Sequence, residues 1–249
     1  MIDKKTLEQY AKLSGLRPWQ AEKQYVQSAI LAVLSDEALV FKGGTYLWFF
    51  HGLDRFSEDL DFTQNGEVHE NIGDEIVSGL RLLGIESRAK KTNDDARSLG
   101  FRISAQGPLH TAQADICHVY VDISRREALG RPAAAYPLDR PAFGLPLKLV
   151  QGMDLDEMAA EKVRAILTRE KARDAYDLAF LINRKKARFS KELAEKKLEW
   201  YGLKFDAAEV RKKLAAREKG FEAEITPLLF GKKAGFKACR SAILDWLEE

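Results

Sequence analysis

Apolar positions recur along the first third of the chain at the spacing of buried helix faces. Residues 6–13 read as a short helix, closed by a Gly15-Leu16-Arg17-Pro18 break. From residue 19 to about 35, Ala21, Tyr25, Ala29 and Val33 recur every fourth position, the stripe of a longer helix. Ala38-Leu39-Val40-Phe41 forms a short apolar strand or turn entry that ends at Gly43-Gly44, and residues 45–50 are apolar enough for a buried helix. A strand at 60–63, a helix at 70–83 and a strand at 85–89 follow. Beyond a polar turn at Lys91-Thr92-Asn93-Asp94-Asp95 come strands at 98–105 and 116–123, with Gly107-Pro108 in the turn region between them.

The pattern changes between residues 130 and 156, where Gly130, Pro132, Pro137, Pro141, Gly144 and Pro146 punctuate the chain. From Leu155 onward it reads almost wholly helical, with Pro227 and Gly231 as the chief interruptions. The expectation is an α+β protein: a core with a mixed sheet over residues 1–150, including N-terminal helices, then a helical domain over 151–249 that completes a cleft. No internal repeat is evident.

Totals add little. The chain has 249 residues, 45% of them hydrophobic, and a formal net charge of +2, which does not argue for a nucleic-acid binder. Distribution says more: Asn183-Arg184-Lys185-Lys186-Ala187-Arg188, Lys196-Lys197, Arg211-Lys212-Lys213 and Lys232-Lys233 lie in one half of the chain. Such runs are commonly solvated helix surface, but together they raise the prospect of a face that tracks phosphates. Cys117 and Cys239 form no zinc or redox motif, and no apolar segment reaches membrane-spanning length. A reducing cytoplasmic setting and a monomer are the defaults.

Chemistry concentrates at Phe41-Lys42-Gly43-Gly44-Thr45 and, shortly after, Arg55-Phe56-Ser57-Glu58-Asp59-Leu60-Asp61-Phe62. The glycine pair lacks the spacing of a Walker loop or a dinucleotide fingerprint, and by itself also suits a plain turn. A helix starting just after it would present free N–H groups to a phosphate, with Thr45 as hydroxyl donor or cap. On a strand, Asp59 and Asp61 would turn to one face and Leu60 to the other, and Ser57 shares their parity. Paired carboxylates repel unless a cation compensates them, and Mg²⁺ takes oxygen ligands together with substrate phosphates.

A third acid is expected, and Asp122 in Val119-Tyr120-Val121-Asp122-Ile123 is preferred to Asp115, which precedes the strand and is easily solvated. Arg55 could anchor a carboxylate or a phosphate. Lys162 and Asp174 would lie ~18 Å apart on one unbroken helix. They can meet only if the helix breaks around 168–171; otherwise they touch opposite ends of a ligand. Arg173 and Asp177, one helical turn apart, have the spacing of an intrahelical ion pair. The four histidines show no metal-ligand spacing.

In order and spacing, Phe41-Lys42-Gly43-Gly44-Thr45-Tyr46-Leu47, the Arg55 to Phe62 motif, Val119 to Ile123, Glu161-Lys162 and Arg173-Asp174-Ala175-Tyr176-Asp177-Leu178 resemble the AbiEii family. These are nucleotidyltransferase-like toxins of type IV toxin–antitoxin and abortive-infection systems. The resemblance spans about residues 38–182 and implies a polymerase-β-like nucleotidyltransferase core with a C-terminal helical bundle. It implies a nucleoside triphosphate donor, Mg²⁺, the 3′ end of tRNA as acceptor and a separately encoded antitoxin. Carried over, Gly43, Gly44 and Thr45 would hold donor phosphates, and Ser57 and Asp59 match positions needed for activity. Asp59, Asp61 and Asp122 would bind metal, while Lys162 and Asp174 would contact the triphosphate and support the site. Two other readings compete: the same chemistry on a small molecule or a protein hydroxyl, and a binding module that kept the fold.

Overall fold

A computed structural model describes residues 1–35, 38–69, 71–231 and 235–248. The chain divides into two compact units. The first comprises Met1–Tyr46, Ser57–Ala128 and Ala133–Gly152; the second comprises Leu47–Phe56, Leu129–Pro132 and Met153–Glu249. The mixed α+β architecture read from the sequence is present, and the second unit is helical.

The first unit is built on a sheet of β1 (Leu39–Lys42), β2 (Leu60–Gln64), β3 (Ser87–Asp94), β4 (Ser98–Ala105), β5 (Cys117–Ser124), β6 (Ala134–Leu138) and β7 (Lys148–Gly152). Their order is β3-β4-β5-β2-β1-β7-β6. β2 runs parallel to β5 and β1 parallel to β7, while the other neighbours are antiparallel. Alternation along β5 buries Val119, Val121 and Ile123 and leaves His118, Tyr120 and Asp122 exposed, the signature of a sheet with one covered face.

Helices α1 (Lys4–Leu13), α2 (Pro18–Val33) and α4 (Ile72–Leu82) belong to this unit. Pro18 starts α2 where a missing N–H costs nothing, and the Gln20 side chain accepts the Arg17 N–H at 2.9 Å. α2 is buried along most of its length, polar residues included, because those residues hold loops in place. Glu22 accepts the Leu109 N–H at 2.7 Å, and Gln27 donates to the Ser57 carbonyl at 3.2 Å. α3 (Gly43–His51) leaves β1 directly, and its residues from Leu47 onward belong to the second unit.

In the second unit, α5 (Leu155–Thr168) and α6 (Ala172–Lys185) are joined by a short turn, followed by α7 (Lys191–Glu199), α8 (Ala207–Ala216), α9 (Phe221–Ile225) and α10 (Phe236–Trp246). The Arg217 guanidinium closes the α5 end by donating to the Ile166 carbonyl at 2.7 Å and to the Arg169 carbonyl. Glu224 accepts the Ala172 N–H at 3.0 Å at the start of α6.

Three sequence expectations change. The polar stretch taken as a turn is the second half of β3, which runs to Asp94 and bulges between Lys91 and Asn93. The Pro- and Gly-punctuated stretch holds β6 and β7; Pro137 fits because β6 is the sheet's last strand. Lys197 is not surface: it is fully buried between Glu157 at 2.5 Å and Glu161 at 3.3 Å. Arg211 and Lys212 pair with Glu248 and Glu209. Lys232-Lys233, and Glu70 as the expected start of a helix, lie outside the described residues.

Candidate active site

Strand register assembles the centre of the first unit. Lys42 of β1 lies opposite Asp61 of β2, and Asp61 lies beside Asp122 of β5. Gly100 of β4 and Asn93 of β3 continue the same row. Opposed residues share a face, so Lys42, Asp61 and Asp122 project from one side of the sheet. Asp122 therefore lies beside Asp61 on the same face, in the neighbouring strand. Asp115 instead sits in a 3₁₀ turn, where its carboxylate accepts from the backbone N–H of Thr111 and Ala112 and from the Thr111 hydroxyl.

The electrostatics follow from that row. Partial burial pushes the Asp122 carboxyl above the usual carboxylate range, and the neighbouring Asp61 adds to it; Arg126 and Lys42 pull the other way. Two acids side by side with insufficient compensation form a donor set suited to a hard divalent cation. Among the described residues, no group of three or more His, Cys, Asp or Glu side chains converges as a metal cage. A pair of carboxylates still fits Mg²⁺, which keeps waters and substrate phosphates among its ligands.

Gly43 has φ +80°, in the left-handed region, and a Cβ there would collide with Oδ2 of Asp61. The glycine thus lets the start of α3 press its backbone against the acidic row. The free N–H groups of the helix's first turn, with buried Gly44 among them, face no intrahelical partner. Thr45 is fully buried and donates its hydroxyl to the Asp59 carbonyl at 2.6 Å. It ties the approach to β2 to the glycine turn, and Gln27 holds the same segment two residues earlier at Ser57, which is also buried. β2 begins at Leu60, so Asp59 stands just before the strand and is half-buried.

Gly43→Ala should therefore cost both strain and position. Left-handed backbone at a non-glycine residue costs ~1–3 kcal/mol, and the methyl group must displace the Asp61 carboxylate. Expected is a clear fall in thermal midpoint, read by melting. A wild-type midpoint in Gly43→Ala would refute this account of the turn.

The second unit brings Lys162 and Asp174 together. The chain leaves the helix at Arg169, α6 restarts at Ala172, and Lys162 Nζ lies 3.3 Å from Asp174 Oδ1 and 2.6 Å from Asp177 Oδ2. Arg169 adds two bonds to Asp174, each at 2.8 Å. Asp177 does not depend on its helical neighbour Arg173. It receives a bidentate fork from Arg55, Nε at 2.6 Å and Nη2 at 2.7 Å. Burial pushes the Asp174 and Asp177 carboxyls up, but the cations outweigh it and hold both below the usual range: Lys162 and Arg169 at Asp174, Arg55 and Lys162 at Asp177. Arg55 thus anchors a carboxylate of its own unit, while the rest of its motif, from Ser57, belongs to the first unit.

Three contributors were not singled out from the sequence. Lys42 sits inside the glycine motif but acquires meaning only through its register with Asp61. Arg169 and Arg217 lie at a helix end, and no local pattern marks either one.

The family model "Nucleotidyl transferase AbiEii toxin, Type IV TA system" matches residues 25–244, the family that the motif order resembles. None of the curated proteins compared with the chain matches it. Among solved structures, MenT4, a nucleotidyltransferase toxin from Mycobacterium tuberculosis, superposes with TM-score 0.68 at 22% identity, covering 98% of this chain and 88% of its own. JHP933 from Helicobacter pylori superposes with TM-score 0.62 at 18% identity, over 92% of this chain and 90% of its own. At these identities the likeness is one of fold.

Proposed function

Because the chain belongs to the AbiEii family of type IV nucleotidyltransferase toxins, we propose that it transfers a nucleotide from a nucleoside triphosphate to the 3′ end of an RNA, with tRNA as acceptor and Mg²⁺ as cofactor. The observation that carries this reading is the registered pair Asp61 and Asp122, packed beside a glycine turn that opens a helix. Asp61 and Asp122, with Asp59 from the adjoining segment, would hold the ion, which would supply charge neutralisation on the donor's phosphates when bound.

The chain's own groups do the rest. The first-turn N–H groups of α3, at Gly43, Gly44 and Thr45, bind donor phosphates, and the bare Gly43 lets the backbone approach. Lys42 balances part of the acidic charge. The buried Ser57 segment, fixed by Gln27 and Thr45, sets the position of Asp59. In this reading Asp122 takes the proton of the attacking 3′-hydroxyl. The 3′-oxygen bonds to the α-phosphorus, the bond to the β-phosphate bridge breaks, and pyrophosphate leaves. Lys162 and Asp174 enter chiefly as the buried charge pair of the helical unit, since Lys162 already neutralises two carboxylates. As a member of a toxin family the protein is expected to have an antitoxin, encoded separately, whose inhibition does not require a stable complex.

The test is incubation with total RNA, Mg²⁺ and each labelled nucleoside triphosphate in turn. Label joined to tRNA 3′ ends, and lost on chelation, is the expected result. Label found on protein or on a small molecule, with none on RNA, would overturn the acceptor assignment.

A further inference from the structure

The exposed face of β3, β4 and β5 continues away from the acidic row, and its residues change character. One step along, Tyr120 of β5 lies opposite Arg102 of β4, which lies opposite Lys90 of β3. A further step brings His118, Ser104 and Arg88 into line. On β4 and β5 they differ from the Asp122 row by even steps, and Lys90 and Arg88 share that side through their pairing with Arg102 and Ser104, the bulge between Lys91 and Asn93 taking up the odd residue on β3. The other side is the covered one, with Leu99, Phe101, Ile103, Val119 and Val121 buried.

Three properties set this face apart from ordinary charged surface. Arg88, Lys90 and Arg102 make no ion pair among the described residues, whereas nearby Lys91 and Arg125 are paired with Asp94. The Nε–H of Arg102 is buried and has no hydrogen-bond partner among the described residues, as is also true of the Ser87 and Thr63 hydroxyls in the same sheet. Tyr120 is 46% exposed, although an aromatic ring on a strand normally seeks cover. The cations crowd one another: burial lowers the pKa of His118, and Arg102, Lys23 and Arg88 lower it further.

We propose that this face is the track for the single-stranded 3′ segment of the acceptor RNA. Tyr120 stacks a base, and Arg102, Lys90 and Arg88 contact phosphates as the strand runs toward Asp61 and Asp122. The inference rests on the RNA-acceptor reading above. Its physical content is charge complementarity joined to an open ring, the combination that binds single strands without reading their sequence. The register sets its length: His118 to Asp122 along β5 spans ~13 Å, so the track meets the final nucleotides and not a duplex. Glu86, exposed just before β3, stands near the far end, where a phosphate would be repelled.

The experiment uses the full chain, a fluorescent single-stranded RNA decamer and bulk tRNA, with binding followed by anisotropy over a salt series. Tyr120→Ala should weaken decamer binding about 5- to 150-fold, the fold-change equivalent of one lost base stack, and Tyr120→Phe should restore it. Lys90→Ser and Arg102→Ser should each flatten the slope of log affinity against log salt by about 0.7. Affinity for nucleoside triphosphate should not change in any of these variants. Lys90 is exposed, so its variant keeps the test alive if a more buried replacement disturbs folding. Wild-type protein that binds no RNA would sink the parent reading. Wild-type protein that binds and labels RNA, with all three variants binding equally well, would overturn the track alone. An equal loss of triphosphate affinity in Tyr120→Ala would give the ring to the donor base and also overturn it.

Discussion

Asp61→Asn is expected to lower nucleotide transfer by about 10³-fold or more, with little change in stability. Removing one carboxylate from the proposed donor set of Asp59, Asp61 and Asp122 removes charge stabilisation worth several kcal/mol in the transition state, and ~1.4 kcal/mol corresponds to a factor of ten. The substitution keeps side-chain shape, so the packing of Gly43 against position 61 survives. It also relieves the repulsion that helps hold the Asp122 carboxyl above its ordinary range. Steady-state incorporation of labelled nucleotide measures the first effect. NMR titration of Asp122 in the metal-free protein measures the second, as a shift to lower pH. Unchanged transfer in Asp61→Asn would refute the assignment of the acidic row as the reaction centre.

Asp177→Ala is expected to have the largest effect on stability. Its carboxylate has no solvent exposure, receives both arms of a nearly buried Arg55 and lies 2.6 Å from Lys162. Truncation leaves two buried cations with one fewer partner, and breaking such a cluster from one side costs ~3–5 kcal/mol. Urea denaturation should register that loss as a lower midpoint at similar slope. Replacing Arg55, Lys162 and Asp177 together with apolar residues of similar size should cost less than Asp177→Ala alone, because the one ion of the cluster that then remains buried, Asp174, keeps its two bonds from Arg169. If Asp177→Ala matched wild type in urea, the cluster would have no role in holding the helical unit.

How far the sequence reveals this architecture depends on the range of the interaction concerned. α2 is readable because Ala21, Tyr25 and Ala29 repeat within one element, and β4 because its limits at Ser98 and Ala105 are marked by neighbouring polar and glycine residues. β6 and β7 hide in a stretch whose prolines normally signal loop; that rule fails at a sheet edge, where Pro137 can sit without breaking a ladder. The second half of β3 reads as a turn because an edge strand of polar residues lacks apolar alternation. In the candidate site, the acids stand out as carboxylates among strand formers. Lys42 does not, since its part arises from strand pairing with Asp61. Arg55 leaves its partner undetermined, because Asp177 lies 122 positions away. Lys197 looks like any lysine in a basic run until two glutamates close over it.

The two ends of the sheet bear on behaviour at high concentration. An uncovered outer strand is a template on which a second chain can add its own strand, the usual first step toward aggregates. Here one outer strand carries Pro137, which offers no N–H at that position, and the other carries Arg88 and Lys90. Like charges on two approaching copies of β3 would repel before their backbones could pair. The cations assigned above to guiding a polyanion therefore also guard the open border of the sheet against self-association, and neutralising them would be expected to reduce solubility as well as RNA affinity.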